Sequence, residues 1–223
     1  MKTAKGKIAE IYLDGSARII CPPDLIPAPG QYLHAHADGS NLPLPVPLFP
    51  SLFFPPDGFR TAPGIPPLWQ PGETLFLRGP IGHGFSLPPS ARKIALVAFD
   101  STPARLQGLI SPALQQKAEV VLFCDAVITD LPEVVEIQPV KTLPGNLPWA
   151  GYAALDVDRV SLNQLKELLG GSGQAAARME AQILIRAPMP CGGIADCGVC
   201  ALTIRHDMRL ICKEGPVFDL TDI

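Results

Sequence analysis

A turn-rich β part, then an α/β part, then a cysteine-rich metal module is the α+β order that this sequence predicts. Three observations predict it. Short strand-like segments punctuated by Pro and Gly fill the first 90 residues, a strand–helix–strand pattern with apolar strands follows, and four of the six cysteines fall between Cys191 and Cys212. The chain holds 26 prolines and 20 glycines in 223 residues. Proline breaks helix interiors, so this content disfavours a helical bundle and favours strands and turns.

The composition excludes several classes. At 47% hydrophobic the chain can bury a core. A net charge of −3 argues against a nucleic-acid binder, which carries a basic surface. No stretch approaches the run of about 18 apolar residues that marks a membrane helix, and no apolar run follows the early lysines as in a secretory signal. No membrane insertion is expected, and the expected compartment is the cytoplasm. Clustered cysteines there serve as metal or redox groups more often than as disulfides.

The elements follow in order. Residues 7–13 (KIAEIYL) partly alternate, Asp14-Gly15 is a hairpin signal, and residues 17–21 (ARIIC) return. Pro29-Gly30 turns into residues 31–37 (QYLHAHA), where alternation puts Tyr32, His34 and His36 on one face and Leu33, Ala35 and Ala37 on the other. His34 and His36 are read as an exposed or partly buried polar face. The apolar window 42–56 carries Pro43, Pro45, Pro47, Pro50, Pro55 and Pro56, which no helix tolerates. Pro71-Gly72 precedes a strand over 74–78 (TLFLR). Such strands suggest a small antiparallel barrel or sandwich.

Residues 93–99 (KIALVAF) read as a strand buried on both faces. Ser101 and Thr102 are cap candidates, Pro103 suits a first turn, Leu106, Leu109 and Ile110 make an apolar stripe, and Pro112 ends or kinks the helix. Residues 118–124 (AEVVLFC) give a second buried strand, so a short parallel sheet is expected. Ser161 and Gln164 fit a capping box before Leu162, Leu165, Leu168 and Leu169, and Gly170-Gly171 stops that helix. A strand over 183–186 leads to the cysteines.

Cys191, Cys197, Cys200 and Cys212 follow the spacing C-x5-C-x2-C-x11-C. Thiolates suit iron–sulfur clusters, Zn and Cu(I). A four-cysteine zinc site commonly draws two ligands from each of two close pairs. Here only Cys197 and Cys200 form one, and the order one, two, one is that of plant-type [2Fe–2S] proteins with one more residue in the first gap. Gly192, Gly193 and Gly198 permit a tight loop with N–H groups free for the sulfurs. Residues 201–211 read as a hairpin, with His206-Asp207 at its tip, that returns Cys212. A zinc site, disulfides and free thiols stay as alternatives. Cys21 and Cys124 read as packing residues.

Three segments carry a resemblance: PGQYL at 29–33, PGETLFLRGPIGHGF at 71–85, and the cysteine segment ending in CKEGPVF at 212–218. With them the chain resembles the electron-transfer subunits of dihydroorotate dehydrogenase, an iron–sulfur family of the ferredoxin–NADP reductase-like superfamily. The resemblance implies an antiparallel flavin-reductase-type β-barrel over 1–90, a small Rossmann-like nucleotide-binding α/β domain over 91–186, and a [2Fe–2S] module with a β-hairpin over 187–223. It implies electron flow between NAD(H), FAD and the cluster, and on to the flavin of a separate catalytic subunit. The expected partner is therefore a catalytic flavoprotein or other oxidoreductase subunit.

The chain departs from that pattern at two cofactor sites. Where the family places an arginine for flavin phosphate, this chain has Val46 before Pro47, and no arginine occurs between Arg18 and Arg60. Arg60 is a substitute candidate. FAD stays an open alternative, carried by Gly79, Gly82 and Gly84, which could admit a cofactor or simply make a tight turn. Where the family has a glycine-rich phosphate turn, residues 100–105 read DSTPAR, so NAD is not expected. His83 is read as a solvent-facing turn residue. The function expected is an electron-transfer subunit with a [2Fe–2S] cluster and no stand-alone catalytic residues. The alternatives are a working FAD/NADH reductase and a non-redox assembly subunit with a structural metal site.

Overall fold

The computed structural model describes residues 1–39, 42–100, 102–128, 131–170, 179–205 and 207–223. Ser101, Gly171 and His206, read above as cap, helix stop and hairpin tip, lie outside the described residues.

The first sheet contains β1 (Lys2–Ile11), β2 (Ala17–Ile20), β3 (Tyr32–Ala37), β4 (Val46–Leu48), β5 (Pro50–Phe54), β6 (Gly58–Thr61) and β7 (Thr74–Ile81). Its order is β4-β3-β7-β1-β2-β6-β5, antiparallel throughout. The two edge strands are consecutive in the chain, with only Phe49 between them. One linking residue spans at most about 7 Å, so the sheet must curl until its edges adjoin. The expected barrel is thus a curled half-barrel: among the described residues no ladder joins β4 to β5. Pro47 and Pro50 supply a reason, since proline has no N–H to give a ladder and is confined to edges. Ile8, Ile19, Leu33, Phe59, Leu75 and Leu77 fill the interior, each at most 2% exposed.

The second sheet is built from β8 (Lys93–Ala98), β9 (Glu119–Phe123), β10 (Glu136–Gln138), β11 (Tyr152–Asp158) and β12 (Glu180–Arg186). These run parallel in the order β10-β9-β8-β11-β12. As its apolar run predicts, β8 is buried on both faces. Ile94, Leu96 and Ala98 pack with Leu106, Leu109 and Ile110, whereas Ala95 and Val97 enter a second cluster. The helix after β8 is two short pieces, α1 (Ala104–Gln107) and α2 (Ile110–Gln115). Pro112 does not end this segment. It cannot bond the carbonyl four residues back, so the break falls at residues 108–109 and the proline sits in the first turn of α2, where its N–H is not needed. Helix α3 (Leu143–Asn146) follows β10. Helix α4 (Leu162–Gly170) buries Leu162, Leu165 and Leu169. It is entered through a 3-10 turn whose cap is Asp158, accepting from the Val160 N–H.

The C-terminal segment forms a hairpin of β13 (Ala201–Ile204) and β14 (Asp207–Leu210), then α5 (Ile211–Glu214) and β15 (Val217–Asp219). Strand β15 pairs antiparallel with β12, on the edge of the parallel sheet. One apolar cluster spans all three parts: Tyr32 and Phe49 from the curled sheet, Val97 and Leu155 from the parallel sheet, and Cys200, Ile211 and Cys212 from the cysteine segment. The cysteine loop is therefore seated against both sheets. No described helix is long and apolar enough to cross a membrane.

Candidate metal centre

The cysteine loop leaves β12, makes two turns around glycines, and returns through the hairpin. Gly192 and Gly193 both have left-handed φ, +51° and +82°, a region that glycine enters without strain. They carry the extra residue of the first gap. Ile211 N–H bonds the Cys200 carbonyl at 3.2 Å, which places Cys212 on α5 beside Cys200.

All four predicted cysteines meet. Cys191 Sγ lies 3.5 Å from Cys197 Sγ, Cys200 Sγ lies 3.2 Å from Cys212 Sγ, and the two pairs are linked by a Cys191–Cys212 separation of 4.0 Å. The sulfurs form a row of two pairs. Among the described residues no three His, Cys, Asp or Glu side chains close around one ion position. None of the six cysteines forms a disulfide. Cys197 is exposed, Cys191 half-buried, and Cys200 and Cys212 buried.

The local field is graded. Burial raises the Cys191 thiol, but N–H groups of Gly193 and Ala195, then Cys197 and Cys212, outweigh it and bring the pKa to about 7. Burial pushes the Cys212 thiol up to about 12, and Cys200 and Cys191 add to this. The Cys212 N–H also points at Cys200 Sγ, 3.5 Å away. A cationic metal would be needed to hold Cys212 as a thiolate. The four-thiol donor set and the N–H groups fit an iron–sulfur cluster. Cys21 and Cys124 are buried in other cores, where desolvation raises both thiols, the first to about 11.

Two residues that sequence reasoning missed hold this loop from the barrel side. Arg78 on β7 donates from Nη2 to the Cys191 carbonyl at 2.9 Å and from Nη1 to the Gly192 carbonyl at 3.2 Å. His34, its cross-strand neighbour, accepts from Nη2 at 2.8 Å. The expectation for His34 was wrong: it is 2% exposed, because the outer face of β3 is covered by the cysteine loop. His36 is partly exposed and bonds the Leu42 carbonyl. Alternation does put His34 on that face; a charged residue inside the strand before Gly79-Pro80 was the unused signal. From the other side Arg159 donates to the carbonyls of Val199 and Ala201 at 2.8 and 3.1 Å.

The three glycines named for a cofactor lie at a junction of the chain with itself. A side chain at Gly82 would strike Pro216 and the Gly215 carbonyl, one at Gly84 the Pro29 carbonyl at 2.7 Å, and one at Gly79 Leu33 at 2.5 Å. Gln31 Nε2 donates to the Gly82 carbonyl and Phe85 N–H to Pro29. His83 is exposed, and its Nδ1 bonds the Glu214 carbonyl at 2.9 Å. The segments 29–33, 79–85 and 212–218 therefore pack on one another.

The other cofactor positions do not fit their groups. Val46 packs against the barrel core. Arg60 is engaged by Asp14 at 2.9 Å and Ser16 at 2.7 Å, and lies over the Tyr12 ring, so no free guanidinium faces a flavin phosphate there. In parallel sheets nucleotides bind at the carboxyl ends of the strands where the order reverses, here between β8 and β11. That place holds a charge network. Asp156, fully buried, accepts from Arg186 at 2.7 Å and Arg105 at 3.2 Å. Arg186 also pairs with Asp100 and Asp158, and Asp100 accepts from the Asp158 N–H at 2.9 Å. Carboxylates already occupy the donors that a pyrophosphate would use, and they would repel it.

The curled antiparallel sheet joined to a parallel sheet with this strand order is a ferredoxin reductase-like fold. The NADH-dependent reduced ferredoxin-NADP oxidoreductase structure matches with a TM-score of 0.73 at 15% identity, covering 99% of this chain and 90% of that one. The ferredoxin-NADP+ reductase of Plasmodium falciparum matches with a TM-score of 0.63 at 10% identity, covering 83% of this chain and 97% of that one. Residues 188–223 match the iron-sulfur cluster binding domain of dihydroorotate dehydrogenase B. The chain is 26% identical to the electron transfer subunit of dihydroorotate dehydrogenase B (NAD(+)) of Desulforamulus reducens, over 88% of this chain and 87% of that protein. The resemblance read from the three segments thus extends over most of the chain.

Proposed function

We propose that this chain is an electron-transfer subunit whose Cys191, Cys197, Cys200 and Cys212 hold a [2Fe–2S] cluster, and that it relays single electrons to or from a partner oxidoreductase. The observation that carries this reading is that the fold brings all four cysteines of the one, two, one spacing into a single row, with Sγ separations of 3.5, 4.0 and 3.2 Å. The one, two, one order of the four cysteines sets this reading apart from a zinc site built of two close pairs. The cluster would supply one-electron storage. The chain's own residues would fix the loop through Arg78 and Arg159, exclude water from Cys200 and Cys212, and leave Cys197 at the surface. Ile194, Val199 and Met208 in that loop and hairpin are exposed apolar side chains suited to a partner's surface. The partner class is the catalytic subunit of an oxidoreductase, since the relative is named as the electron transfer subunit of a dehydrogenase. A metal-binding use of four clustered cysteines suits a reducing compartment such as the cytoplasm.

Elemental analysis of anaerobically purified protein tests this. About two irons and matching acid-labile sulfide per chain are expected, with no stoichiometric flavin. Zinc without sulfide would sink the proposal. Retained FAD with bleaching by NADH would replace it with the reductase reading.

A further inference from the structure

The contact between Arg78 and the cysteine loop is more elaborate than loop anchoring requires. Arg78 is half-buried and forms no ion pair with any described residue. Its donors go to the carbonyls of Cys191 and Gly192, to His34 Nδ1, and to Met1 Sδ at 3.0 Å. A guanidinium only donates, so the His34 nitrogen facing it carries no proton. His34 adds no counter-charge; it aims the fork. The ring is buried and also meets the Met189 backbone, so it is held between that backbone and Arg78. Gly192 completes the fit. Its φ is +51°, and a side chain there would collide with both Arg78 and His34. Three residues on two strands and a loop thus bring a cation without a carboxylate partner against the first cysteine.

A half-buried cation is favoured where an anion lies near to compensate it. Four thiolates, two ferric ions and two sulfides sum to a dianion, and one-electron reduction adds a further negative charge. We propose that Arg78, oriented by His34, is the positioning residue that supplies the counter-charge to this centre and sets its reduction potential. The inference rests on the cluster reading above. A fixed positive charge stabilises the more negative, reduced state more than the oxidised one, so it raises the potential. It reaches the centre through the carbonyls of Cys191 and Gly192, which accept its two donors.

The test is a redox titration of the anaerobic full-length protein, followed by visible absorbance, for the wild type and for Arg78→Gln, Arg78→Lys and His34→Gln. Iron and sulfide are measured first. A wild type lacking both overturns the cluster reading and this inference together. With the cluster present, Arg78→Gln is expected to make reduction at least tenfold less favourable, a fall of about 59 mV for one electron. Arg78→Lys, which keeps the charge but loses the fork, should recover more than half of that fall. An unchanged potential in the loaded fraction of Arg78→Gln overturns this inference and leaves the cluster reading standing. If neither Arg78 variant retains iron, the arginine builds the loop rather than tuning it, and the proposal is equally overturned.

Discussion

At the scale of single residues, the six cysteines separate into two kinds by their surroundings. Cys21 and Cys124 sit in apolar cores with raised thiol pKa values. Cys191, Cys197, Cys200 and Cys212 share one row. Cys200→Ser should abolish bound iron, and Cys124→Ser should leave the iron content at the wild-type level. Iron assays on both variants check this, and loss of iron in Cys124→Ser would contradict it. His34 gives a pH prediction. Burial first, then the Arg78 charge, lowers its pKa from 6.5 to about 4, against a smaller pull from the Met189 backbone. The unfolded chain takes up a proton between these values that the folded chain refuses. The stability involved is fully present above about pH 6.5 and is lost as pH falls towards 4, about 3 kcal/mol in all. Urea unfolding at pH 7 and pH 5 should show a smaller acid loss in His34→Gln than in the wild type. Equal losses would remove His34 as the source.

At the scale of elements, the turn over residues 79–85 shows how one glycine pattern serves two readings. Gly82 has φ +80° and faces Pro216 and the Gly215 carbonyl. Gly82→Ala should therefore destabilise the chain by about 1–3 kcal/mol, through backbone strain and the clash. Denaturant melts would show it, and an unchanged midpoint would mean that the junction yields freely. The elements themselves were mostly legible. The turns at Asp14-Gly15 and Pro29-Gly30, the doubly buried β8 and the stripe of α4 all follow from local pattern. The split of α1 from α2 was less so, because the cost of Pro112 falls on a carbonyl four residues earlier.

At the scale of the whole molecule, the crevice between β8 and β11 holds one charge network of Asp100, Asp156, Asp158, Arg105 and Arg186. Arg186→Met would leave the buried Asp156 with one partner and should cost about 3–5 kcal/mol, measurable by urea unfolding. If the network fills the nucleotide place, NADH should not shift the melting temperature. A nucleotide at about 100 times its Kd would add about 2.7 kcal/mol, or several degrees at roughly 2–4 °C per kcal/mol for this size. A rise of that order would show that the carboxylates move aside.

The sequence by itself determined the four-cysteine spacing, the turn glycines, the strand periods, and the absence of an arginine at position 46 and of glycine in residues 100–105. These are local properties, set by ligand chemistry and backbone geometry within a few residues. Only the tertiary structure decided how the sulfurs pair, that Arg60 is already engaged by Asp14, and that Asp100 and Asp156 meet Arg186. It alone set His34 and Arg78 beneath Cys191. The sulfur pairs join residues 6 and 12 positions apart, and the other contacts join residues 30 or more apart. Their contact depends on which strands neighbour one another, and hydrophobic burial across the whole chain settles that.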